Sequence, residues 1–263
     1  MGTTEILGYI GALIVGLVLG LIGGGGSILT VPLLVYLLGY NPVIATAYSL
    51  FVVGTSSMVG TYQKHKKGLV DFKTGLAFSF PSFLAVYLTR RYLVQSIPDT
   101  LFSFGDFSLT KNMGIMIFFA IIMIIASYSM IKKDKPQELL ATKQSYYKTF
   151  IQGLTIGTVT GLIGAGGGFL YVPALVIWAK IPMKKAVGTS LIIVTINSLI
   201  GFIGDVQTID IEWTFLLAFT VISIVGIVIG VFLSKFISGK KLKTSFGYFV
   251  LIMAVYIIYK ELK

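Results

Sequence analysis

Apolar residues along this chain come in long unbroken runs rather than in one-faced patterns. Five segments occupy roughly residues 6–22, 27–38, 43–62, 72–88 and 113–131, and five more occupy 150–163, 168–179, 186–203, 213–233 and 246–258. Each is bounded by glycine, proline or charge, as helix ends are. Met113 to Ile131 and Phe215 to Leu233 each hold 19 residues without a charge. A helix of that length is about 28 Å long, close to the ~30 Å hydrocarbon core of a bilayer. Only helices and closed barrels satisfy their backbone in lipid, and these runs lack the alternation of barrel strands. The pattern predicts an all-α membrane protein.

The order of the segments repeats. A displacement of 141 residues places Gly16 on Gly157, Gly20 on Gly161, Gly23 on Gly164 and Pro32 on Pro173. It also carries Ser49-Leu50 onto Ser190-Leu191, Ser57 onto Ser198, Gly60 onto Gly201 and Asp71 onto Glu212. Unrelated apolar helices share composition but not register, so a constant offset over about sixty residues points to a tandem duplication. Residues 1–131 are then the first repeat, 132–148 a polar cytoplasmic linker and 149–263 the second repeat. The stretch RRYLVQSIPDTLFSFGDFSLTKN has no close equivalent in the second repeat and reads as an extramembrane loop, with room for a short interfacial helix.

Charge changes the picture next. The chain is 56% hydrophobic and 12% charged, with a formal net charge of +11. In a membrane chain such an excess marks cytoplasmic loops, so no nucleic-acid partner is expected and the lipid bilayer is. The loop between the third and fourth segments holds Lys64, His65, Lys66, Lys67 and Lys73 in the first repeat, but Asp205, Asp210 and Glu212 in the second. The loop before the third segment reverses the contrast, GYNPV being uncharged where KIPMKK holds Lys180, Lys184 and Lys185. Equivalent loops therefore belong on opposite sides, and the repeats should be inverted. Inversion needs an odd number of crossings per half. Three full spans supply it if the first two segments, a glycine-broken re-entrant or short helix pair, return to the side they left. Both termini are then extracytoplasmic. The N-terminal segment lacks the basic region and cleavage site of a signal peptide and is expected to stay in the protein.

The glycine breaks read GLIGGGGSILTVP from Gly20 and GLIGAGGGFLYVP from Gly161. Bare backbone in hydrocarbon costs several kcal/mol per unsatisfied group, so such a turn survives only where protein buries it or water reaches it. Free amides at Gly25, Gly26, Ser27 and Ile28, heading a helix whose dipole end is positive, would suit an anion. The counterpart Gly166, Gly167, Gly168 and Phe169 would approach from the opposite side. Ser49, Thr189 and Ser190 begin the third segments, with Ser57, Asn197 and Ser198 two turns on, so one face of each could offer neutral donors. The alternative is that the glycines and hydroxyls serve helix packing alone. Coupling candidates are few: Asp205 at a segment end, and His65, the one histidine. Asp71 and Glu212 are expected as helix N-caps. With no cysteine and no HExxH or GxSxG motif, the chain offers no catalytic residues, metal site or cofactor site.

Those paired glycine motifs, ATAYSL with AVGTSL, and HKKGLVDF with QTIDIEW resemble the sulfite exporter TauE/SafE family of membrane transporters over nearly the whole chain. The resemblance implies a bacterial or archaeal plasma-membrane carrier of small sulfur-containing anions, such as sulfite or sulfonates. Ala47-Tyr48 stands where the second repeat has Gly188-Thr189, a departure that affects one hydroxyl. An anion channel and a membrane-embedded assembly factor are the rival readings.

Overall fold

Each apolar segment becomes a helix in the computed structural model, which describes residues 3–104, 107–132, 146–164, 166–207, 209–236 and 238–262. In the first repeat, α1 (Thr3–Ile22) turns at Gly23 into a short composite helix α2 over residues 24–37. Within α2 a 3-10 segment (Gly24–Leu29), one α-turn (Thr30–Pro32) and a π-turn (Leu33–Leu37) succeed one another. α3 (Pro42–His65) starts at Asn41, whose side chain accepts the Val43 amide at 2.9 Å. α4 (Phe72–Leu88) starts at Asp71, which caps it by accepting from the Thr74 amide at 3.1 Å. A hairpin of β1 (Thr100–Phe104) and β2 (Phe107–Thr110) leads to α5 (Lys111–Ile131). The second repeat gives α6 (Tyr146–Ile163), α7 (Gly168–Ile177), α8 (Met183–Val206), α9 (Trp213–Leu233) and α10 (Gly239–Glu261). The sequence offset holds in three dimensions, since α3 and α8 begin and end 141 residues apart, as α4 and α9 begin. By length and composition α1, α3, α5, α8 and α9 can cross a membrane.

Glycine decides how the helices pack. Gly16 and Gly20 of α1 face the backbone of α9 from Ser223 to Val231, while Gly226 and Gly230 of α9 face the backbone of α1 from Leu13 to Leu17. A Cβ at any of these would strike main chain, so close approach depends on its absence. The same contact recurs where Gly153, Gly157 and Gly161 of α6 face α4 from Phe78 to Thr89. Each repeat thus lays its first helix on the other repeat's fourth, and in both pairs the residue numbers rise together, so the helices run parallel. α3 and α8 instead cross antiparallel: Leu50 lies on Gly201, Gly54 on Leu199 and Gly60 on Leu191. The end of α5 meets the first third of α10, where Ser127 Oγ donates to the Gly247 carbonyl at 2.9 Å.

Two expectations need correction. The stretch beginning at Arg90 is not all extramembrane loop: α4 continues through a π-turn (Thr89–Leu93) and an α-turn (Val94–Ser96), and Arg90 is fully buried. Its physical reason is a carboxylate partner on α8, described below. Glu212 stands at the start of α9 but makes no side-chain cap; its Oε2 accepts from Tyr40 OH at 3.0 Å instead. Most of the linker expected at 132–148 lies outside the described residues.

Candidate functional site

The two glycine turns meet at the crossing of α3 and α8. Gly23 has φ +80°, and Gly164, Gly166 and Gly167 have φ +68°, +65° and +66°. Side chains of L-residues avoid this left-handed region, so glycine is needed at each. Gly24 and Gly168 then stand face to face, and a Cβ on either would run into the backbone of the other. Val194, halfway along α8, closes over Gly24, and Val53, halfway along α3, closes over Gly166.

The amides expected to be free at Gly25, Gly26, Ser27 and Ile28 are partly used. Gly24–Leu29 winds as a 3-10 helix, whose i→i+3 bonds occupy amides that an α-helical start leaves open. Gly26 donates to the Gly23 carbonyl at 3.3 Å, and Gly24 donates to Ser190 Oγ at 3.4 Å. In the second repeat α7 starts as an α-helix at Gly168, where Leu170 and Tyr171 donate to the Gly167 carbonyl at 2.9 and 3.2 Å.

Hydroxyls and an amide surround this meeting point. Ser49, Ser57 and Ser198 are fully buried with Oγ atoms that have no hydrogen-bond partner among the described residues, and the same holds for Thr30 Oγ1 and Asn197 Oδ1. Leaving such a group unpaired costs about 1–3 kcal/mol, which makes these atoms strong acceptors of a polar guest. Ser198 Oγ lies directly beside Gly166. Ser190 is already engaged, donating to the Val187 carbonyl at 2.9 Å, and Ser27 Oγ donates to the Gly24 carbonyl at 2.7 Å. Thr189 is not brought to the turns; its Oγ1 accepts the Asp71 amide at 2.9 Å and anchors the loop before α4. Behind the second turn, Asn197 Nδ2 donates to Ser82 Oγ at 2.8 Å and Tyr171 OH at 2.7 Å, and Ser82 bonds Tyr171 directly. The positions equivalent to these three are Ser56, Ser223 and Thr30. There Ser56 Oγ donates to Ser223 Oγ at 3.0 Å, and threonine is too short to join them.

A cavity of about 260 Å³ opens at one end of the α3–α8 crossing. Its mouth carries Lys64, Lys67, Lys184 and Lys235, and its walls include Ile22 and Val187. The Val187 carbonyl lies 2.7 Å from where a Gly23 Cβ would stand, so the cavity adjoins the first glycine turn. Lys64 is buried, with Nζ donating to Ser234 Oγ at 3.0 Å, and Lys67 Nζ donates to the Val231 carbonyl at 3.3 Å. No acidic residue lines the cavity among the described residues. Partial desolvation and the Lys235 ammonium lower the pKa of Lys67. Such a cleft concentrates anions.

The other end is acidic and shut. Arg90 and Asp205 form a buried ion pair in which Nε donates to both carboxylate oxygens at 3.0 and 2.7 Å and Nη2 lies 2.5 Å from Oδ2. Nη1 adds bonds to Thr46 Oγ1 at 3.0 Å and the Gly161 carbonyl at 3.4 Å. A wider surface groove of about 620 Å³ at this end is lined by Glu5, Tyr9, Tyr40 and Glu212, whose carboxylates repel an anion. Burial and the Glu212 carboxylate raise the pKa of Tyr40. Of the two coupling candidates, Asp205 is therefore inside and paired, whereas His65 is exposed, its ring edge-on to Phe72 at 4.9 Å. Trp178 and Trp213 are both partly exposed near helix ends.

Sequence reasoning missed Arg90, Lys64 and Tyr171. One signal was present: Lys64 and Asp205 are 141 residues apart, the same place in the two repeats with opposite charge. Arg90 carried no such mark, because its equivalent is Val231.

Residues 9–257 match the family described as Sulfite exporter TauE/SafE. The chain is similar to a "Probable membrane transporter protein" of Xylella fastidiosa (strain 9a5c), 29% identical over 255 residues that cover 94% of this chain and 92% of that one. It is also similar to "Probable membrane transporter protein YunE" of Bacillus subtilis (strain 168), 29% identical over 235 residues covering 78% and 80%. A third relative is "Probable membrane transporter protein MJ0441" of Methanocaldococcus jannaschii, 26% identical over 202 residues covering 73% and 70%. No solved structure matches.

Proposed function

The chain belongs to the sulfite exporter TauE/SafE family, and from that premise we propose a secondary transporter that moves a small sulfur-containing anion, such as sulfite or an organosulfonate, across the plasma membrane by alternating access. The coarser facts are that it is a multi-pass all-α membrane protein of a transporter family, and that this is not an enzyme family.

On this reading the repeats, 1–131 and 149–263, are inverted. The antiparallel crossing of the equivalent helices α3 and α8 supports it, since a two-fold axis along the membrane normal would leave them parallel. The lysine end faces the cytoplasm under the positive-inside rule. Both termini then lie outside: Glu5 stands at the acidic end with Glu212, and Glu261 accepts from Tyr36 OH at 2.8 Å near the end of α2. α1 is long enough to cross and runs parallel to α9, which runs parallel to α3, so α2 brings the chain back before α3 begins.

The anion enters past the four lysines and is held at the glycine turns. Its ligands are the backbone at Gly25, Gly26, Ser27, Gly166, Gly167 and Gly168 and the side chains of Ser49, Ser57, Ser190, Asn197 and Ser198, with Thr189 fixing the neighbouring loop. Neutral donors at the centre suit cargo that must leave again, and the lysines collect it at the rim. Coupling to protons or another ion falls to Asp205 rather than to exposed His65.

The observation that carries this reading is the coincidence of partnerless buried hydroxyls with glycine turns beside an acid-free lysine cavity. A thermal-shift panel of sulfite, thiosulfate, sulfate and organosulfonates tests it. A substrate should raise the melting temperature by mass action, and saturable counterflow in vesicles should separate a carrier from a channel. A melting temperature flat across the whole panel would sink the proposal.

A further inference from the structure

The repeat offset makes the two ends of the molecule directly comparable. Around the open cavity stand Ile22, Lys64, Val187 and Ser234. Their equivalents at the acidic end are Ile163, Asp205, Thr46 and Leu93. Ile163, Asp205 and Thr46 are buried, and the space between them is taken by the Arg90 guanidinium, bonded at once to Asp205, Thr46 and the Gly161 carbonyl. Arg90 thus ties α4 to α3, α6 and α8 above the second glycine turn, whose Gly164 packs against Thr46.

We propose that Arg90 is a second anion ligand, serving the acidic-end access to the site, and that in this conformation Asp205 occupies it in place of the anion. The inference rests on the anion pathway proposed above. A planar guanidinium fork matches carboxylate and oxyanion alike, so a sulfite or sulfonate group can take the place of the Asp205 carboxylate bond for bond. Burial makes the exchange obligatory: a desolvated guanidinium without an anionic partner is strongly disfavoured, so Asp205 leaves only as the anion arrives. The pair therefore acts as a latch that the cargo itself releases. Facing it are Thr46 from α3, the Gly161 carbonyl from α6, and Tyr87 and the Arg91 backbone beside Gly204. The lysine end has no counterpart, because Val231 replaces Arg90 and Lys64 replaces Asp205. Access from the acidic end alone is latched.

The chain has no cysteine, which makes single-cysteine reporters clean. Purified protein in detergent carries either Ile22→Cys, at the open cavity, or its equivalent Ile163→Cys, and reaction with a charged thiol reagent is timed. The first should react about tenfold faster or more, and adding Asp205→Asn should reverse the order, speeding Ile163→Cys while slowing Ile22→Cys. Thr46→Val, which removes one Arg90 bond and leaves the charges paired, should shift both rates the same way by about threefold. In the Asp205→Asn background, sulfite or a short alkylsulfonate should slow labelling of Ile163→Cys, and a further Arg90→Gln should abolish that protection. Equal labelling of both reporters at the outset, both rates rising together as in a loosened fold, or protection that survives loss of Arg90 would each overturn the proposal. Labelling needs no transport, so flux measured on the cysteine-free chain judges the carrier function separately.

Discussion

Lys64 and Asp205 sit at the same place in two repeats whose backbones superimpose residue for residue along α3 and α8, yet one borders an open cavity and the other a closed seam. The backbone symmetry provides two possible access routes. Which of them is open is decided by side chains: at the lysine end four like charges hold one another apart, and at the acidic end a guanidinium draws a carboxylate, a hydroxyl and a carbonyl together. A second pair of regions differs in the same manner. Asn197, Ser82 and Tyr171 form a closed triangle behind one glycine turn, while Ser56, Ser223 and Thr30 leave their counterpart incomplete. Duplication supplied equal scaffolds, and divergence at a few buried positions made them unequal.

The largest expected effect comes from the point the two halves share. Valine at Gly26 or Gly167 should abolish transport while membrane insertion persists, because Gly26 packs on the α1 backbone and Gly167 has a left-handed φ. Vesicle flux alongside a protease-protection assay of topology would check it, and normal flux would remove the turns from the pathway. Breaking the closed end comes next. Arg90→Met strands a buried carboxylate and should cost about 3–5 kcal/mol of stability, most of it recovered in Arg90→Met/Asp205→Leu. Thermal melts of the single and double variants decide whether the pair is worth more than its apolar replacement.

Smaller effects sharpen the contrast from the open end. Neutralising Lys184 and Lys235 together as glutamine should raise the anion KM by about three- to tenfold at low salt and less at high salt, since both act at a solvated mouth. Stability should change little. The smallest effect concerns pH. Because burial and Lys235 disfavour the charged form of Lys67, it loses its proton at a lower pH than the ~10.4 of a free lysine, so anion affinity should weaken as pH rises through that depressed value. Lys67→Arg should keep its charge across the same range and remove about a twofold part of the alkaline decline. An unchanged profile would show that Lys67 does not face the anion.

Much of this architecture was legible before any coordinates. The offset that aligned Gly23 with Gly164 also aligned the ends of α3 and α8, because register survives in a duplicated helix long after side chains diverge. Asp71 capped its helix as its position implied, whereas Glu212, its equivalent, turned to Tyr40, a tyrosine no local pattern could bring within reach. Arg90 was the costliest misreading: charge beside aromatic and polar residues looks like a surface loop, and only a carboxylate 115 residues away allows it to be buried. The four consecutive glycines announced a break, but not that the break would wind as a 3-10 turn and use its own amides.

The sequence by itself determined that this chain is a membrane protein of ten helices in two equivalent sets, since hydropathy, helix length and register are properties of neighbours along the chain. Tertiary structure alone decided which helix of one repeat lies against which of the other, and hence that Gly24 meets Gly168, that four lysines share one mouth and that Arg90 finds Asp205. Those outcomes depend on close packing and on pairing of desolvated charge, and both are settled between residues that sequence distance keeps apart.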